Sequence, residues 1–209
     1  MSLKTGLEWR YATKKFDNTK KIPADKLEHL LQTVKLAPSS FGLQHYEIVV
    51  VEDPAVRERL KEASYGQSQL TDASQVIVFA VETNIDEDYV KAYIDEMASA
   101  RGVKREDLSG FEQYVLGSVS RLSREENINW AKKQAYIALG VLISSASELQ
   151  IDSCPMEGFE ADKYDEILGL KEKGLTATVM ATIGYRSDED PYANMAKVRK
   201  SDKDLFIRI

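Results

Sequence analysis

Gln134-Ala135-Tyr136-Ile137-Ala138-Leu139-Gly140-Val141-Leu142-Ile143-Ser144-Ser145-Ala146-Ser147 carries no charge, and apolar or small side chains fall on every face at a helical period. A helix that is apolar all round is buried on all sides. The run is shorter than the roughly 18–20 apolar residues that span a bilayer, so it predicts burial in protein. Ser123 and Glu126 stand at capping-box spacing, which starts the helix there and leaves its charged first turns outside the core. Ala131, Ala135, Ala138 and Gly140 are small enough to let a second helix approach closely. Two settings bury such a helix: the core of a monomer, or an interface between subunits.

Around this helix the chain reads as an α+β protein. Leu3 to Arg10 predicts a short opening helix, and Pro23 opens another that carries Leu27, Leu30, Leu31 and Val34 on one face and stops at Ala37. Strands are expected over His45–Val51, Gln75–Val81 and Leu175–Ile183. Asp53-Pro54 caps a helix with Val56, Leu60 and Ala63, and Tyr65 to Gln69 reads as a polar loop. Tyr89, Val90, Tyr93, Ile94 and Met97 mark an amphipathic helix ended by Gly102. Residues 101–122 form an excursion in which Phe111, Tyr114, Val115 and Leu116 suggest a further helix. Pro155-Met156-Glu157-Gly158 is expected to be a loop, Ala161–Leu168 a short helix, and Leu205-Phe206-Ile207-Arg208-Ile209 a strand-like end that needs a partner. The irregular alternation favours a mixed central sheet flanked by helices, in one domain over 1–209, with the long helix against the sheet.

Composition narrows the function. A net charge of −6 argues against a general nucleic-acid or anionic-membrane surface and toward small molecules or another subunit. Cys154 is the only cysteine, so no intramolecular disulfide forms, and with no apolar stretch near the start the expected address is the cytoplasm. With Ser153 and Pro155 beside it and no cation next to it in sequence, Cys154 reads as a small buried residue. His29 and His45 are not at metal-ligand spacing, and no metal site is expected. Gly-x-Gly and Gly-x-Ser-x-Gly are absent, so a bound phosphate must be held by side chains. Arg10, Lys14, Lys197 and Arg199 are the available cations.

Arg10-Tyr11-Ala12-Thr13-Lys14, Pro38-Ser39-Ser40 with Gln44, Asp72-Ala73-Ser74, Pro155-Met156-Glu157-Gly158-Phe159 and Lys197-Val198-Arg199 stand in order over nearly the whole chain. This set resembles the nitroreductase family of flavin oxidoreductases. The resemblance implies a homodimer that binds FMN between its subunits, takes reducing equivalents from NADH or NADPH, and passes them to nitroaromatics, quinones or similar flat acceptors in a ping-pong cycle. A flavin carrier without turnover is the alternative it leaves open.

The resemblance also implies roles. Arg10, Ala12, Lys197 and Arg199 hold the FMN phosphate, Tyr11 belongs to the same cofactor-binding set, and Lys14 reaches the ribityl or ring region. Pro38, Ser39 and Ser40 approach the flavin from the partner subunit. Pro155 and Met156 lead into Glu157 and Gly158, whose backbone N–H groups point at flavin N5 and O4. No side chain is assigned a catalytic role, since the flavin N5 carries the chemistry. Gln67 and Gln69 stand where many relatives place a lysine or arginine near the N1–O2 edge, and a neutral amide there implies a lower flavin potential. Phe41, Phe111 and Tyr114 are expected to line the acceptor pocket, although ordinary core packing would account for the last two as well.

Overall fold

The computed structural model describes residues 2–209. Four strands, β1 (Tyr46–Val51), β2 (Gln75–Glu82), β3 (Asp152–Met156) and β4 (Leu175–Gly184), form one sheet in the order β1-β2-β4-β3. Every neighbouring pair is antiparallel, with Val49 opposite Val78 and Val78 opposite Met180. A parallel pairing occurs at a single bridge between Ala12 and Ser153. Nine helices accompany the sheet among the described residues: α1 (Leu3–Trp9), α2 (Ala24–Lys35), α3 (Pro54–Glu62), α4 (Gln69–Asp72), α5 (Glu87–Arg101), α6 (Ser109–Val119), α7 (Arg124–Glu148), α8 (Ala161–Leu168) and α9 (Asp202–Leu205).

The sheet is apolar on both faces because β2 is apolar at nearly every position. Ile77, Phe79 and Val81 join Val179, Ala181 and Ile183 in the core beneath α7, with α2, α5 and α6 completing that layer. Val76, Val78, Ala80 and Met180 face the opposite way, onto Leu60 of α3 and Tyr164 of α8. The α7 helix begins with both bonds of the capping box: the Ser123 hydroxyl accepts from the Glu126 N–H at 3.2 Å, and the Ser123 N–H donates to the Glu126 carboxylate at 2.8 Å. Small residues bring it close to its neighbours. A Cβ on Gly6 of α1 would stand 2.6 Å from Ser147 Oγ of α7. Leu142 is wholly buried, which contributes roughly 1.5–3 kcal/mol for a side chain of that size.

Four expectations change. The α7 helix is not covered on every side: Tyr136, Ile137 and Gly140 are exposed, because one chain supplies only enough surface to cover the rest. Pro155 and Met156 are not in a loop but end β3, with Pro155 opposite Ala181. Proline is tolerated there because β3 is an edge strand, where a missing N–H need not break the ladder. Gln69 leaves the polar loop and opens the single helical turn α4. The C-terminal segment is not a strand. It makes α9 and then runs on to Ile209 without regular structure, with Ile207 90% exposed, because no strand of this chain lies beside it.

Most remaining elements, α8 among them, lie where the sequence places them to within two residues, and the 101–122 excursion does hold a helix, α6. A feature without a sequence signal is Arg57, buried on α3. It donates to the carbonyls of Leu70, Ala73 and Ser74 at 2.6, 2.6 and 3.0 Å, and so ties α4 and the Asp72-Ala73-Ser74 segment to α3.

Candidate active site

Arg10 leaves the end of α1, and the segment after it runs beside β3, where Ala12 bridges to Ser153 and the Thr13 N–H donates to the Ser153 carbonyl at 3.3 Å. Asp190 brings the chain back over this segment. One of its oxygens accepts from the Tyr11 hydroxyl at 3.0 Å and from the Lys14 and Lys15 N–H groups at 2.8 and 3.0 Å, while the other accepts from the Tyr192 N–H at 3.0 Å. Burial works against this carboxylate, but the N–H groups of Lys15, Tyr192 and Lys14 outweigh it and hold its pKa below the ordinary value. Burial and the bond to Asp190 push the Tyr11 hydroxyl well above its ordinary value, so Tyr11 acts here as a neutral donor.

The result is a cavity of about 300 Å³ lined by Arg10, Tyr11, Ala12, Lys14, Lys197 and Arg199, with no carboxylate in its wall. Arg10 Nε and one terminal nitrogen are buried without a partner, as is Ser153 Oγ on the neighbouring strand. Burial lowers the Arg10 pKa, and repulsion from Arg199 and Arg186 lowers it further. Lys197 donates to the Glu8 carbonyl, and burial together with Arg10 and Arg199 lowers its pKa in the same way. Converging cations with orphaned donors suit an anion that accepts several hydrogen bonds at once, of which a phosphate dianion is the plain case.

Arg186 stands behind the cavity but is committed elsewhere. Its backbone N–H and Nε donate to the two oxygens of Asp152 at 2.9 and 2.7 Å, and its guanidinium lies 4.1 Å from the Trp9 ring centroid and 4.6 Å from that of Tyr11. Cys154 is buried as expected, yet a cation does adjoin it in space: Lys14 Nζ lies 3.7 Å from its sulfur. Burial nonetheless pushes the thiol pKa up, against the pull of Lys14 and Arg10. The residues that organise this cradle without lining it, Asp190, Asp152 and Arg186, escape sequence reading because their partners are 34 to 179 positions away.

A second group surrounds the end of β3. The Gln67 amide donates to the Gly158 carbonyl at 2.9 Å and to the Ser64 carbonyl at 3.1 Å, while the Glu157 carboxylate accepts from the Tyr136 hydroxyl of α7. Burial and that carboxylate push the Tyr136 pKa up to about 12. Among the described residues the N–H groups of Glu157 and Gly158 have no hydrogen-bond acceptor. Met156 turns its side chain into the core, so only its backbone is available to a ligand, and among the described residues no hydrogen bond joins Gln69 to the strap formed by residues 156–158.

The third group is the loop from Pro38 to Gln44. The Ser40 N–H donates to Gln134 Oε1 of α7 at 3.0 Å, and Ser39 Oγ accepts from the Gln44 N–H at 2.9 Å. Phe41 adopts φ 57°, a left-handed conformation that costs on the order of 1–2 kcal/mol for a residue with a Cβ. Its ring stands edge-on to Tyr114, Trp130 and Phe111 at 5.8, 5.9 and 6.4 Å, so the expected pocket aromatics do meet. The Trp130 ring also lies 4.1 Å from that of His45, tilted 38° to it, and burial lowers the pKa of this wholly buried imidazole to about 4. No hydrogen bond, ion pair or aromatic contact joins this loop to the cation cradle within one chain, among the described residues.

The family model described as "Nitroreductase family" matches residues 7–185. The chain belongs to the nitroreductase family. A nitroreductase relative in Bacillus subtilis, YfkO, provisionally named for NAD(P)H-dependent activity, is 38% identical over 189 residues, covering 85% of this chain and 86% of that one. A Staphylococcus haemolyticus protein with the same provisional name is 35% identical over 212 residues, covering 95% of this chain and 93% of its own. Among solved structures, one from Staphylococcus epidermidis, provisionally described as an NAD(P)H:FMN oxidoreductase, superposes with a TM-score of 0.87 at 20% identity and covers 100% and 96% of the two chains. Another, from Exiguobacterium sibiricum and solved in complex with FMN, gives 0.85 at 19% identity over 100% and 98%. At such identities the likeness establishes the nitroreductase fold.

Proposed function

We propose that this protein is a cytoplasmic, FMN-dependent NAD(P)H oxidoreductase that reduces flat acceptors such as nitroaromatics and quinones, and that it works as a homodimer. The observation that carries the reading is the half-buried Arg10, two of whose guanidinium nitrogens are buried without a partner beside a cavity it lines with Lys197 and Arg199. Arg10, Lys197 and Arg199 hold the FMN phosphate, and Ser153 Oγ is a further buried group free to meet it. Arg186 stays paired with Asp152 and shapes the wall. When bound, FMN supplies the chemistry, taking a hydride from NAD(P)H and delivering it to the acceptor.

The chain's own residues bind and orient. Gln67 fixes the strap at Gly158, and the free N–H groups of Glu157 and Gly158 are the donors offered to the flavin edge. Phe41, Phe111 and Tyr114 form the apolar wall on which a planar acceptor packs. Pro38, Ser39 and Ser40 serve the partner's site, a reading supported by their separation from the cradle of their own chain. The exposed Tyr136–Ile137 face of α7 and the exposed Phe206–Ile209 tail are the surfaces a second copy covers.

The decisive experiment is the visible spectrum of the purified protein under anaerobic conditions, before and after NADPH or NADH and then with a quinone. A flavin spectrum that bleaches and recovers is expected. A flavin that fails to bleach with either donor would support the carrier reading, and a protein that takes up no FMN would end both. Gln69→Lys is expected to raise the flavin midpoint potential by roughly 20–40 mV, equivalent to about 1–2 kcal/mol in a two-electron couple, by stabilising negative charge on reduction. An unchanged or lower midpoint would remove Gln69 from the flavin edge.

A further inference from the structure

From Phe41 to Gln44, three of the four residues have positive φ: 57° at Phe41, 76° at Gly42 and 43° at Gln44. Glycine enters that region freely, whereas phenylalanine and glutamine do not, so the turn must be held from outside. The Ser40 N–H is tied to Gln134 of α7 and the Gln44 side-chain amide to the Lys35 carbonyl of α2, while the turn's own carbonyls are held by two tyrosines of α5. The Tyr93 hydroxyl donates to the Phe41 carbonyl at 2.6 Å, and the Tyr89 hydroxyl donates to the Leu43 carbonyl at 3.3 Å. The Tyr93 oxygen lies directly against the turn, since a Cβ on Gly42 would stand 2.6 Å from it.

The turn has a payload. It stands the Phe41 ring against Trp130, Phe111 and Tyr114, and of these rings Tyr114 is 65% exposed, so the cluster opens to solvent on its side. Nothing in the ring contacts alone demands a left-handed backbone. The ordinary helical and extended regions are the lower-energy choices for Phe41, and the Tyr93 bond at its carbonyl opposes a return to them.

We propose that Tyr93 is a positioning residue that sets acceptor selectivity: by latching the Phe41 carbonyl it holds the Phe41 ring in place as the wall for a planar acceptor. Tyr93 need touch neither acceptor nor flavin. The proposal rests on the reading of the protein as a reductase of flat acceptors, and it adds a residue from a helix outside the cradle and the strap.

Tyr93→Phe removes one oxygen and keeps the ring in the core. Two measurements on the full-length protein test it. Amide exchange at Gly42 and Leu43, whose N–H groups donate to the Ser39 and Ser40 carbonyls at 2.9 and 3.1 Å, is expected to accelerate about tenfold, the equivalent of about 1.4 kcal/mol for the lost bond. The ratio of kcat/KM for menadione to kcat/KM for ferricyanide, which takes electrons without a ring to pack, is expected to fall about tenfold. Exchange unchanged in the variant overturns the latch. Faster exchange with an unchanged ratio overturns the role in selectivity. A parent protein that binds no FMN overturns the functional reading itself, an outcome seen before the variant is made.

Discussion

Arg10→Ala is expected to weaken FMN binding roughly a hundredfold or more, from the loss of about 3 kcal/mol when one partner of a buried charge pair is truncated. The FMN-free variant is expected to melt no lower than its parent. Without FMN, two Arg10 nitrogens have no hydrogen-bond partner and burial, Arg199 and Arg186 lower its pKa, so removing it relieves repulsion and leaves no hydrogen-bond partner stranded. The two effects separate binding from folding. Fluorescence titration with FMN reads the first and calorimetry of the FMN-free protein the second. A dissociation constant within threefold of the parent's would mean that the phosphate is not held at Arg10.

Asp152→Ala is expected to destabilise the protein by about 3–5 kcal/mol, the usual cost of leaving a buried charge without its partner. For a chain of this size that is a fall of roughly 6–20 °C in melting temperature. The Asp152 side chain is only 4% exposed, and its carboxylate takes both the side chain and the backbone N–H of Arg186, the residue held between Trp9 and Tyr11. Loss of Asp152 therefore strands a cation inside the junction of β3, β4 and the N-terminal segment. Asp152→Leu combined with Arg186→Met is expected to recover most of the loss, because an apolar pair of similar volume leaves no charge behind. Thermal denaturation of the single and double variants checks this; a double variant no more stable than Asp152→Ala would show that the pair acts through something other than its charge.

Most of the elements were legible because each carries a local signal. The Ser123–Glu126 spacing announces the start of α7, Asp53-Pro54 that of α3, and the apolar run Val76–Val81 reads as a strand. The misreadings are equally physical. A proline argues against a strand unless the strand lies at an edge, and whether β3 lies at an edge is a property of the sheet and not of Pro155. The C-terminal segment has the composition of a strand, but a strand exists only beside another, and this chain places none there.

For the candidate site the division is similar. Sequence by itself determined the fold class, the long central helix and the family, and it singled out Arg10, Lys14, Lys197 and Arg199, which line one cavity. It could do so because residue types at ordered spacings carry that information without coordinates. Only the tertiary structure decided that Arg10 has two buried nitrogens with unmet donors, that Asp190 binds the 186–199 segment to residues 11–15, and that Tyr93 reaches the carbonyl of Phe41. Those are statements about burial and about pairing between distant positions. A carboxylate 179 residues from the tyrosine it holds leaves no periodicity to read, and its meaning arises when the chain closes.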